Sequence, residues 1–96
     1  MQVEIITPES KIFQGEAEAV QLPGLDGSFQ VLANHAPIIS ALVEGEVKVN
    51  LTQDFIETDG VNDVVYADGS NKRLIRVKIK GGVMEMLNNK VIVLAE

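Results

Sequence analysis

The sequence predicts an all-β protein, a two-sheet antiparallel β-sandwich of about nine to ten short strands, and three features support that expectation. Apolar and polar residues alternate with a period of two in several segments. Turn dipeptides recur too closely for helical crossovers between parallel strands. No segment is convincing as an amphipathic helix. A single open sheet built from 46% hydrophobic residues would leave an apolar face wet, so two packed sheets are expected.

The elements follow in chain order. "VEIITP", Val3 to Pro8, is apolar at nearly every position and stops at a proline, as a strand covered on both faces would. "GEAEAV", Gly15 to Val20, puts Glu16 and Glu18 on one side of a strand and Ala17 and Ala19 on the other. Pro23-Gly24 and Asp26-Gly27 mark the next turns. "HAPIISALVEG" could be argued as helix, but Pro37, the β-branched pair Ile38-Ile39 and the closing Gly45 suit a buried strand at least as well. Val47, Val49 and Leu51 alternate with Glu46, Lys48 and Asn50, a strand with one wet face. The stretch Thr52 to Lys72, rich in Asp, Asn and Gly, reads as a long hairpin with exposed turns. Ile75, Val77 and Ile79 alternate with Arg76, Lys78 and Lys80, a second strand with a wet face. Gly81-Gly82 and Asn88-Asn89 punctuate the end, and "NKVIVLAE" has the same doubly apolar character as the opening strand.

Composition removes several function classes. Ninety-six residues make one domain, 1–96, with enough apolar content to close a core. There is no cysteine, so neither a disulfide framework nor a thiolate zinc site can be drawn. No apolar run approaches the roughly 18 residues that span a bilayer, so no direct membrane insertion is expected. A net charge of −6 opposes nucleic acid, and scarce aromatics leave no stacking platform for single strands or sugars.

The candidate chemical groups are few. His35 is the single histidine, but no acid or nucleophile is placed beside it by spacing, and a loop or interface role outweighs catalysis. Asp59 to Asp63, with Asp68 beyond, distantly resembles a calcium loop but lacks the closing glutamate and helix, so two hairpin turns are the better reading. Glu16 and Glu18, roughly 7 Å apart on a strand, have no visible cleft around them and read as a solvated face. Lys72 with "RLIRVKIK", Arg73 to Lys80, carries five of the eight bases, as either an acidic-partner surface or a protected sheet edge. No catalytic, cofactor-binding or metal residues are assigned, and function through a surface is expected.

The string "VEIITPESKIFQGEAEAVQLPGLDGSFQVLANHAPIISAL" closely resembles the amino-terminal β-sandwich of the epsilon subunit of F-type ATP synthases, called delta in mitochondria. Its pieces are "ITP", "IFQGEAEAVQLPG", "DGSFQVLANHAP" and the ending "GGVMEMLNNKVIVLAE". The resemblance covers Val3 to Val49 and Gly81 to Glu96. It fades across Leu51 to Lys80, a region of about 51–80 where this chain is longer than the usual member.

The resemblance implies a noncatalytic rotor subunit of the central stalk, without enzyme activity or cofactor. It would clamp the gamma subunit to the c-ring of a proton- or sodium-translocating synthase, peripheral on the cytoplasmic face of the bacterial plasma membrane. Carried over by position, Asp26, Gly27, Ser28 and Phe29 would face the c-ring, and His35, Ala36, Pro37 and Ser40 would lie toward gamma. Relatives often have an acidic side chain where Ser28 stands. Many continue beyond the "VLA" ending into two helices that can bind ATP; a naturally short subunit would have no such site and no helical inhibitory arm. The alternative readings are an independent module binding a peptide by strand addition along Arg73 to Lys80, and a small hydrolase or metal-dependent enzyme built on His35 and the acidic turns.

Overall fold

The computed structural model describes residues 1–55 and 65–96, and the Asp59 to Asp63 calcium-loop reading lies outside them. Nine strands are present among the described residues: β1 (Gln2–Ile6), β2 (Lys11–Gly24), β3 (Gly27–Leu32), β4 (Ile38–Leu42), β5 (Gly45–Leu51), β6 (Val65–Asp68), β7 (Asn71–Ile79), β8 (Gly82–Leu87) and β9 (Lys90–Ala95). There is no helix among these residues, in agreement with the sandwich the sequence predicts.

One long strand builds both layers. The first half of β2 pairs with β1, and its second half pairs with β3 on one side and β5 on the other. Sheet I therefore runs β2-β1-β9-β8-β4, and sheet II runs β3-β2-β5-β7-β6. A single bridge from Gly24 to Leu42 brings the free side of β4 back to the far end of β2. A register shift between Ala17 and Ala19 marks where β2 passes from one sheet to the other. All pairings are antiparallel except β1 with β9. The sequence did not announce that pair: the whole chain lies between its two strands, so no local crossover marks it.

The core is aliphatic, as expected from four aromatic residues in the chain. Val3 and Ile5 of β1, Val20 and Leu22 of β2, Val47 and Val49 of β5, Ile75 and Val77 of β7, Met84 and Met86 of β8, and Val91 and Val93 of β9 are all essentially inaccessible. Burying one such side chain is worth about 1.5 to 3 kcal/mol. Phe13 and Phe55 close one side with ring centroids 6.4 Å apart. The Phe55 N–H donates to the Lys72 carbonyl at 2.8 Å, which ties the end of β5 to the start of β7.

Three strand expectations are corrected. The Ile38–Leu42 segment is a strand, but not a buried one, since Ile39 is 71% exposed. In β9, Leu94 faces outward, so only β1 is covered on both faces. The outward residue of β1 is Glu4, just 9% exposed, whose carboxylate sits between Lys11 at 3.2 Å and Lys90 at 3.6 Å. Finally, β7 is no sheet edge, because β5 and β6 flank it. From Ile75 to Val77 its backbone is paired on both sides, which leaves no free edge for strand addition there.

Candidate docking surface

The two outer faces of the sandwich differ in chemistry. On sheet II the pairings align Gln30, Gln21, Lys48, Arg76 and Tyr66 in one cross-strand row, with Glu46 opposite Lys78 beside it. Arg76 is the hub of the pairing on this face. Arg76 donates from Nη1 to Glu46 and from Nη2 to Asp68, each at 3.4 Å, and the Tyr66 hydroxyl donates to Glu46. The Lys78 ammonium lies 5.9 Å from the centre of the Tyr66 ring. The basic stripe read from the sequence is thus interleaved with carboxylates that β5 and β6 bring alongside.

Sheet I presents the opposite surface. Its pairings align Ile39, Glu85, Ile92 and Glu4 in one row and Ala41, Val83, Leu94 and Ile6 in the next. Ile39, Val83, Leu87 and Leu94 are exposed large apolar side chains. They stand together because each strand has one face toward the core, so the second apolar set must point away from it. Contiguous apolar surface of this kind marks an interaction site.

The expected contact residues lie at the two ends of β3 and on β4. The β2–β3 turn places Asp26, Gly27 and Ser28 in solvent. Phe29 is instead half-buried, its ring over Gly24, where an added Cβ would come within 2.8 Å of it. The exposed apolar residue at that tip is Leu25, 67% accessible, which the sequence reading passed over. Its N–H donates to the Ala41 carbonyl at 3.1 Å, and the Val43 N–H donates to the Pro23 carbonyl at 2.9 Å, so the tip is pinned to the end of β4.

His35, Ala36 and Pro37 form the exposed loop before β4, at the other end of β3, about 17 Å away along the strand. The imidazole Nδ1 lies 2.6 Å from the Ala36 carbonyl, and the His35 N–H donates to the Leu32 carbonyl at 3.1 Å. The loop is held from beneath. Asn34, at φ 67°, donates its N–H to the Asn89 side-chain oxygen at 2.7 Å, and the Asn89 carbonyl accepts from Gln2 at 3.1 Å. Asn34 and Asn89 were missed as positioning residues, although asparagine is the side chain that best tolerates a left-handed backbone. Ser40 is half-buried on the inner side of β4 opposite Met84, while Ile39 and Ala41 point outward.

Among the described residues, no group of three or more His, Asp or Glu side chains is placed to hold a metal ion. A concavity of about 420 Å³ near the end of β7 is lined by Glu44, Gly45, Glu46, Lys78, Ile79 and Lys80, two acids and two bases whose charges cancel. Among the described residues no helix is long and apolar enough to cross a membrane.

Residues 1–66 match the model of the ATP synthase delta/epsilon chain β-sandwich domain. The ATP synthase epsilon chain of Salinibacter ruber is 40% identical over 94 residues, which cover 98% of this chain and 56% of that one. The epsilon chain of Chlorobium limicola is 35% identical over 94 residues, covering 98% and 86%. The chain thus spans little more than half the length of some curated relatives and most of others. In fold, it is similar to a chain in the central stalk and c-ring structure of Tetrahymena thermophila mitochondrial ATP synthase. There the TM-score is 0.71 at 13% identity, covering 99% of this chain and 62% of that one. The family-model match and the identities to these epsilon chains show that the chain belongs to the ATP synthase delta/epsilon family and carries its β-sandwich domain.

Proposed function

We propose that the chain is a noncatalytic rotor subunit of an F-type ATP synthase, clamping the gamma subunit to the c-ring and helping to transmit torque. The observation that carries this reading is the asymmetry of the two faces. On sheet II Arg76 is paired with Glu46 and Asp68 within the chain, whereas sheet I exposes Ile39, Val83, Leu87 and Leu94. Gamma covers the face of sheet I and the loop of His35, Ala36 and Pro37 beside it. The c-ring meets the β2–β3 tip at Asp26, Gly27 and Ser28, joined there by Leu25.

In this reading residues 1–96 act as one β-sandwich domain, with the region of about 51–80 an enlarged hairpin. The subunit sits peripherally on the cytoplasmic face of the bacterial plasma membrane, where proton or sodium flow drives the ring. Close-packed interiors are poorly compressible, so a sandwich of this kind transfers force with little elastic loss. A permanent clamp buries upward of about 2,000 Å² in total, with an apolar centre and a polar rim.

Calorimetric titration with the gamma subunit of the same organism tests the reading. Ile39→Asp is expected to weaken binding by at least about 30-fold, the loss of a central anchor. Gln30→Glu, on the outer side of sheet II, is expected to leave affinity within about two-fold. Loss of affinity from Gln30→Glu and not from Ile39→Asp would assign docking to the wrong face.

A further inference from the structure

We infer that Glu85 is the charge anchor of the apolar face, and that the partner covering this face presents one arginine or lysine at its centre. The inference rests on the docking reading above and names what that partner must carry. Glu85 lies on β8 with Ile39 opposite it on β4 and Ile92 opposite it on β9. Val83 and Leu87 stand two residues away on either side along the same strand face. One carboxylate is therefore ringed by four apolar side chains.

Among the described residues Glu85 takes part in no ion pair. The lysine nearest in sequence on the neighbouring strand, Lys90, points to Glu4 at 3.6 Å, and Glu4 already holds Lys11 at 3.2 Å. In solvent this costs nothing, because water hydrates the carboxylate. Once a partner seals the surrounding ring, the charge is desolvated, and a buried unpaired carboxylate would oppose binding strongly. An apolar surface alone does not fit this face; an apolar surface around a guanidinium or ammonium does.

The same geometry argues against a second copy of this chain as the occupant. Face-to-face docking about a twofold would bring two Glu85 carboxylates together inside one apolar ring. Two chains of net charge −6 would repel further. Replacing Glu85 with an uncharged isostere should thus favour self-association while weakening the proper partner, two changes of opposite sign.

The test titrates the cognate gamma subunit against the unsubstituted chain, Glu85→Gln, Glu85→Lys and Ile39→Asp, with thermal unfolding of each free chain as the control for folding. Glu85→Gln is expected to weaken binding at least about 30-fold. Glu85→Lys should abolish binding, and a single Arg→Glu or Lys→Glu replacement on gamma should restore it. Ultracentrifugation should show more dimer for Glu85→Gln than for the unsubstituted chain. If Ile39→Asp binds weakly and Glu85→Gln binds as well as the unsubstituted chain, the face docks but its carboxylate meets no cation, and this inference is overturned. If neither substitution matters, the docking reading falls and the charge anchor with it.

Discussion

Tyr66 is the single tyrosine of the chain, and its hydroxyl donates to Glu46 across β5, β7 and β6. That hydrogen bond is the main reason the phenol is held above its ordinary value of 10.0, with burial and the Glu46 charge adding to it. The same bond, helped by Arg76, holds the Glu46 carboxyl below 4.5. The sign for stability follows from linkage. A raised phenol contributes stability that is full below pH 10.0 and lost as pH rises through the folded value. Tyrosinate absorbance should therefore titrate with a midpoint above 10.0, and Glu46→Gln should return it toward that value. A midpoint at or below 10.0 in the unsubstituted chain would show that the bond does not persist in solution.

The elements differ in how completely their backbones are paired. The second half of β2 has partners on both sides, β5 lies between β2 and β7, and β9 lies between β1 and β8. Among the described residues β3 pairs with β2 alone and β6 with β7 alone. Local opening requires fewer broken hydrogen bonds at such edges. Amide hydrogen exchange should be slowest in the second half of β2, in β5 and in β9, and fastest in β3 and β6. Equal protection of β6 and β5 would mean that the sheet order in solution is different. Gly82 adds a constraint at the start of β8: at φ 146° an added Cβ would come 2.1 Å from the Leu94 carbonyl oxygen, so β8 and β9 approach there as only glycine permits.

At the scale of the whole molecule, three carboxylates on two sheets respond to acid together. Glu4 is lowered by its hydrogen bond to Lys11, with further help from Lys90, and Asp68 by its hydrogen bonds from Ser70 and then by Arg76. Glu46 is the third. All three have folded values below their unfolded ones, so their stabilisation is present above about pH 4.5 and fades as pH falls through the folded values. Urea midpoints should hold steady near neutrality and decline below about pH 4.5, less steeply in Glu46→Gln. A midpoint that rises on acidification would contradict the ion pairs seen on both outer faces.

Where one side of a strand is wet, the sequence shows it. Val47, Val49 and Leu51 turn inward as their alternation with Glu46, Lys48 and Asn50 requires, whereas the register shift between Ala17 and Ala19 breaks the alternation there and sets Ala19 opposite Asn50. β4 and β9 were harder, because their apolar residues occupy both faces, and period two cannot separate a strand buried by its own chain from one left for a partner. Of the site, the His35 loop and the β2–β3 tip were legible from their turn residues and from resemblance. The centre of the apolar face was not, since Ile39, Val83, Glu85 and Leu94 come from three strands spread over 56 residues of sequence.

By itself, then, the sequence determined the all-β class, the aliphatic core, the turns and the family. Those properties are local or compositional, and each can be read within a few residues. Strand order was decided by tertiary structure alone: it put β7 between two neighbours, joined β1 to β9 in parallel, and gathered Arg76 with Glu46 and Asp68. Hydrogen-bonded pairing is a contest among all strands for the same edges, and its outcome depends on which faces can be buried together, a property no single segment carries.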